Sequence, residues 1–225
     1  KLKTILNGHV DFVNGMAFSA DSLTLASAGT DGRIILWEMP SGKKLRTLLG
    51  HADEVYTVAF NNNGSLLASG SRDSTVKLWN LTNGAVVKSF SGHQGTVRSV
   101  AFSPDGSSLV SAGEDSKVLV WDTTTKQLKK QIAGIVSAVN TVVFGQDGNL
   151  NVGTEDSKVT EFNPGTGSIV STPVNLQSEV VSPQSSNNPG VQNYLGGNFG
   201  GSLAYQAKSE NIESKAVGKH AQPYK

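Results

Sequence analysis

No cysteine occurs among the 225 residues, which excludes disulfides, thiolate nucleophiles and cysteine metal sites and leaves the compartment open. No apolar run approaches the roughly 18 residues a membrane-spanning helix needs. An excess of one charge is missing too: 19 Lys and Arg stand against 18 Asp and Glu, a formal net charge of +1. That balance gives no bulk electrostatic case for nucleic acid or for an acidic membrane surface. The opening KLKTILNGH has neither the apolar core nor the small-residue cleavage site of a secretory leader, so cytoplasm or nucleus is the expected location. Catalytic signatures are absent as well: there is no Gly-x-Ser-x-Gly elbow, phosphate loop or paired-carboxylate spacing. Gly-Gly-Asn-Phe-Gly-Gly at 196–201 has no helix pattern after it and reads as a turn, not a phosphate cradle. No cofactor is expected.

What the chain does contain is one stretch written several times. Gly8-His9, Gly50-His51 and Gly92-His93 recur at a fixed spacing of 42, as do Phe18, Phe60, Phe102 and Phe144. Asp31, Asp73 and Asp115 keep that interval, and so do Trp37, Trp79 and Trp121. A strict period of about 20–50 residues marks a repeat architecture and outranks any local reading.

Ser91–Asp122 holds the clearest copy. Val97-Arg98-Ser99-Val100-Ala101-Phe102 alternates like a half-buried strand. Ser103-Pro104-Asp105-Gly106 supplies turn chemistry, since proline presets one φ and Asp-Gly tolerates a tight reversal. Leu109–Gly113 predicts a second strand, Asp115-Ser116 a hairpin turn, and Lys117–Trp121 a third strand rich in β-branched and apolar residues. Gln127–Ile132 pairs as a fourth. Such a small sheet has two faces to cover and must stack on copies of itself.

The Gly-His pair, the turn Asp and the Trp-Asp ending together resemble a WD40 repeat, the blade of a β-propeller. The resemblance implies an all-β fold, a propeller of four-stranded antiparallel blades with about five blades present. It also implies a hydrogen-bonded tetrad in each intact blade. The matching residues are His9, Ser27, Asp31 and Trp37; His51, Ser69, Asp73 and Trp79; and His93, Ser111, Asp115 and Trp121. A buried polar network of this kind is tolerable only when every member is satisfied.

The repeats divide the chain into an outer strand at 1–6 and blades at 8–49, 50–91, 92–133 and 134–173. Blade four is worn: Ile135 replaces the His, one residue is lost around Asn151–Gly153, Phe162 replaces the Trp, and Asp156 survives without its partners. Residues 174–225 turn rich in Ser, Gln, Asn and Pro and read either as a degenerate fifth blade or as a flexible tail. Propellers span about 4–8 blades. The arrangement is therefore expected to be part of a seven-bladed ring completed by a longer chain or another subunit, or a small five-bladed ring.

Regularly spaced histidines invite a metal reading, but equivalent positions on different blades do not converge on one ion within about 2 Å. Binding is the expected role. In the family this chain resembles, partners land on the top face, read by two positions per blade. Those positions carry Asn14 and Thr30, Tyr56 and Arg72, Arg98 and Glu114, and Asn140 and Glu155. Two residues before the first of each pair lie Phe12, Glu54, Thr96 and Ala138. Tyr and Arg are enriched at interface hot spots, so the expected partner is another protein or peptide, with no nucleic acid and no membrane. The alternatives are a structural subunit of a large assembly binding through blade edges and the 174–193 segment, and a central-channel small-molecule binder or enzyme.

Overall fold

The computed structural model describes residues 4–175, and among them no helix is present. Sixteen strands form four antiparallel sheets of four, each running from inner to outer strand in chain order. Blade one comprises β1 (Val13–Phe18), β2 (Thr24–Gly29), β3 (Ile34–Glu38) and β4 (Lys44–Leu48). Blade two comprises β5 (Val55–Phe60), β6 (Leu66–Ser71), β7 (Thr75–Asn80) and β8 (Val86–Ser91). Blade three holds β9 (Val97–Phe102), β10 (Ser108–Gly113), β11 (Val118–Asp122) and β12 (Leu128–Ile132). Blade four holds β13 (Val139–Phe144), β14 (Leu150–Thr154), β15 (Lys158–Phe162) and β16 (Ile169–Asn175).

The turns explain why the strands end where they do. Gly32, Ser74, Ser116 and Ser157, each following a turn aspartate, all take a left-handed φ of +57° to +73°. Three of these are serines, and a β-carbon there costs about 1–2 kcal/mol. The preceding carboxylate offsets that cost in blades two and three, and glycine avoids it in blade one. Asp31, Asp73 and Asp115 each accept the N–H two residues on, at 3.1, 2.9 and 3.2 Å.

The inner strands β1, β5, β9 and β13 pack side by side, and the cores lie between blades. At the first junction Ala26, Ala28, Ile34, Leu36 and Leu48 of blade one meet Val55, Val58, Leu67 and Trp79 of blade two. The same pattern recurs at the next two junctions. Equivalent positions expose the logic. Val55 and Val58 are 0% and 2% exposed, whereas their blade-one counterparts Val13 and Met16 stand 47% and 57% exposed. Among the described residues nothing covers Val13 and Met16, whereas Leu6 and Met39 pack on Leu25 and Trp37 of the same face.

Some expectations need adjusting. Thr4–Leu6, expected in the outer strand 1–6, form no ladder. A strand needs a neighbouring ladder, and the described residues offer none there. Leu6 instead packs on Leu25, Ile35 and Trp37. Asp156 has no His or Trp partner, as expected, and instead takes the Thr154 hydroxyl at 2.5 Å and the Lys158 ammonium at 2.6 Å. The fifth blade or tail, the 196–201 glycines and most of 174–193 lie outside the described residues.

Candidate functional site

In blades one to three the structure brings each His, Ser, Asp and Trp together in one chain of hydrogen bonds. Trp37, Trp79 and Trp121 donate Nε1–H to Ser27, Ser69 and Ser111 at 2.9, 2.8 and 2.8 Å. Those hydroxyls sit 2.8, 2.7 and 2.8 Å from Nε2 of His9, His51 and His93. The Nδ1 atoms lie 3.0, 2.8 and 3.0 Å from Asp31, Asp73 and Asp115. One assignment of protons satisfies every atom: neutral histidine donates from Nδ1 to the carboxylate and accepts the serine proton at Nε2. A second proton on the imidazole would leave Ser Oγ facing two donors.

The titration directions agree with that assignment. Burial pushes His51 and His93 below the ordinary imidazole range, outweighing the pull of Asp73 and Asp115. Burial also pushes Asp73 up, but the Thr75 hydroxyl, the Ala52 N–H and His51 outweigh it and hold the carboxyl at about 2. The aspartates further accept backbone N–H groups of Val10, Ala52 and Gln94, at 3.1, 3.0 and 2.8 Å. Each tetrad thereby fastens the incoming loop to its own sheet. It works as a structural clip; nothing in it points into open solvent as a nucleophile would.

Blade four replaces the clip with apolar packing. Val152 pairs with Val142 where Ser111 pairs with Val100. Val152 and Phe162 are buried against blade three, with Ile135 packed beside them. A cavity of about 190 Å³ remains beside this trio, lined also by Val136, Thr154, Asp156, Lys158 and Ile169.

On the top face the candidate positions form a bonded surface. The N–H groups of Thr30, Arg72, Glu114 and Glu155 donate to the carbonyls of Phe12, Glu54, Thr96 and Ala138 at 2.9, 2.9, 3.0 and 2.8 Å. This bond recurs in all four described blades and draws the two candidate positions together. Glu54 holds two neighbours: Tyr56 donates its hydroxyl at 3.0 Å, and Arg72 donates Nη1–H at 2.7 Å. Burial and that carboxylate raise the Tyr56 phenol.

Asn14 bonds the Thr30 hydroxyl at 3.1 Å and reaches across to the Val55 carbonyl of blade two, also at 3.1 Å. Arg98 spans blades three and four. Its Nη2–H meets Glu114 at 2.7 Å, and its Nη1–H meets Asn140 at 2.6 Å and Glu155 at 3.5 Å. Phe12 behaves differently: it is 80% exposed and stands clear of the Gly-His loop. Thr96 is buried. Sequence reasoning missed the cross-blade bonds, although Arg98 and Asn140 lie one period apart and could have been paired from that fact. No group of three or more His, Asp or Glu able to hold a metal occurs among the described residues.

Stacked four-stranded sheets clipped by Trp-Ser-His-Asp chains define a WD40 β-propeller. The chain belongs to the family described as the IFT122 first beta-propeller, whose model matches residues 12–220. Over 48 residues it is 46% identical to the Small ribosomal subunit protein RACK1 of Medicago sativa, covering 21% of this chain and 15% of that protein. RACK1z of Arabidopsis thaliana is 44% identical over the same length and shares. Among solved structures, U3-55K matches with a TM-score of 0.70 at 24% identity, over 74% of this chain and 53% of that one. The WD40 repeats of RRP9 match with a TM-score of 0.70 at 25% identity, over 74% and 52%. This chain thus spans about half the length of the solved relatives, and its match to RACK1 spans far less. WD40 propellers are in general scaffolds without enzymatic activity.

Proposed function

We propose that the chain is a non-catalytic interaction scaffold whose top face engages another protein or peptide, in the cytoplasm or nucleus. The observation that carries this reading is the bonded top surface. Tyr56 and Arg72 are held by Glu54, and Arg98 is held by Glu114, Asn140 and Glu155. Side chains ordered before a partner arrives lose less entropy on binding, which favours a specific contact. Phe12 adds an exposed aromatic at the rim of the same face.

The test is capture from an extract of the native source, quantified by mass spectrometry, with wild type beside a Tyr56→Ala, Arg98→Glu double variant. Loss of specific partners with an unchanged melting temperature is the expected outcome. Capture that survives both substitutions overturns the reading.

A second reading, a structural subunit of a large assembly, draws support from the RACK1 relatives, which are named as small ribosomal subunit proteins. Limited proteolysis inside and outside the assembly tests it, since segment 174–193 is then protected only in the assembly. Polar groups clustered on the inner strands would favour a channel enzyme. Those strands instead read VNGMAF, VYTVAF, VRSVAF and VNTVVF, which favours packing.

A further inference from the structure

The near-zero net charge hides a segregation. The outer strands β4, β8 and β12 read KLRTL, VVKSFS and LKKQI, with Lys44, Arg46, Lys88, Lys129 and Lys130 and no acidic residue. At the foot of this wall, away from the turn aspartates, a groove of about 510 Å³ opens between blades one and two. Its floor is apolar: Leu36 is buried, Phe60 and Leu81 pack on the junction core, and Leu45 forms a half-exposed lip.

Arg46 crosses the groove. Its Nη1–H donates to the Asn83 carbonyl at 2.6 Å and its Nη2–H to the Thr82 carbonyl at 3.5 Å. Both acceptors are neutral, and among the described residues no carboxylate lies in ion-pair distance of Arg46 or Lys44. Asp21, the acid on the rim, turns its Oδ1 to the Ser19 hydroxyl at 2.5 Å and the Leu23 N–H at 2.9 Å.

The other junctions differ. Asn62 leans from blade two to the Pro104 carbonyl of blade three, bridging the second junction. The third has a groove of about 390 Å³ over Val120 and Phe144, but with Lys129 in place of the Leu45 lip and Asp147 on its rim.

We propose that the groove between blades one and two binds an extended acidic segment of a partner protein, independently of the top face. An apolar side chain of that segment sits on Leu36, Phe60 and Leu81. A neighbouring carboxylate pairs with the guanidinium of Arg46, whose planar fork suits a carboxylate. The apolar floor favours a peptide over a phosphate backbone, which would have nothing to place there.

The probe is a fluorescein-labelled peptide of alternating Glu and Leu, titrated against the full 225-residue chain at low salt and read by fluorescence anisotropy. Binding is expected to saturate, to weaken about tenfold on Arg46→Glu, and to weaken less on Arg46→Gln. A Glu-Ser peptide fails to bind, and the Tyr56→Ala, Arg98→Glu variant binds like wild type. Arg46 is exposed, so melting curves of its variants overlay wild type. Four outcomes overturn the proposal: no saturation with wild type, indifference to both Arg46 variants, loss of binding in the top-face variant, or displacement by single-stranded RNA as effective as by unlabelled peptide.

Discussion

Substitution of Ser69 tests the clip in blade two most directly. The side chain is fully buried, and its oxygen serves both Trp79 Nε1–H at 2.8 Å and His51 Nε2 at 2.7 Å. Ser69→Val strands a buried donor and a buried acceptor together. Each orphaned group costs about 1–3 kcal/mol, so the loss should reach about 2–6 kcal/mol. Blade four indicates the way back, because Ile135, Val152 and Phe162 occupy the same frame with no polar atom to satisfy. The triple change His51→Ile, Ser69→Val, Trp79→Phe removes every stranded group except Asp73, which keeps the Ala52 N–H and the Thr75 hydroxyl. Some cost remains in the triple, since Trp79→Phe removes ring atoms from a fully buried site. Urea unfolding followed by far-UV circular dichroism should find the triple less destabilised than the sum of its three single changes by at least about 2 kcal/mol. Additivity within about 0.5 kcal/mol would refute the idea that these atoms act as one unit.

Gly15→Ala should destabilise by about 1–3 kcal/mol, because a β-carbon there would stand 2.5 Å from the Tyr56 carbonyl oxygen on the adjacent inner strand, and backbone does not yield cheaply. A wild-type melting temperature would show that the inner strands separate more easily than this packing implies. Stability should also fall on acidification. His51 and His93 stay neutral in the folded chain below their ordinary value of 6.5, while the unfolded chain takes up protons there. Their contribution is therefore complete above that value and declines beneath it. Asp73 adds a second loss as pH falls from 3.8 toward about 2, the value at which the fold holds it. Melting temperatures that rose between about pH 7 and about pH 5 would contradict the neutral assignment.

Much of this was legible in the chain because the chemistry is local and periodic. Alternation placed the strands, Asp and Ser placed the turns, and the interval of 42 placed His, Ser, Asp and Trp in register. The worn state of blade four was also readable, from Ile135 and Phe162. What its aspartate does instead, bonding the Thr154 hydroxyl and the Lys158 ammonium, was not.

The sequence by itself determined the repeat, the blade and the tetrad members, since each follows from neighbours along the chain or from one fixed interval. Tertiary structure decided which equivalent residues meet. Arg98 and Asn140, one period apart on packed inner strands, bond at 2.6 Å, while His9, His51 and His93, at the same interval, each bond only within their own blade. It also decided that the first junction opens into a groove while Asn62 bridges the second. The physical reason is packing: the inner strands lie side by side, so equivalent side chains there come within reach, whereas each histidine is held by the serine and aspartate of its own sheet, and no local pattern carries that difference.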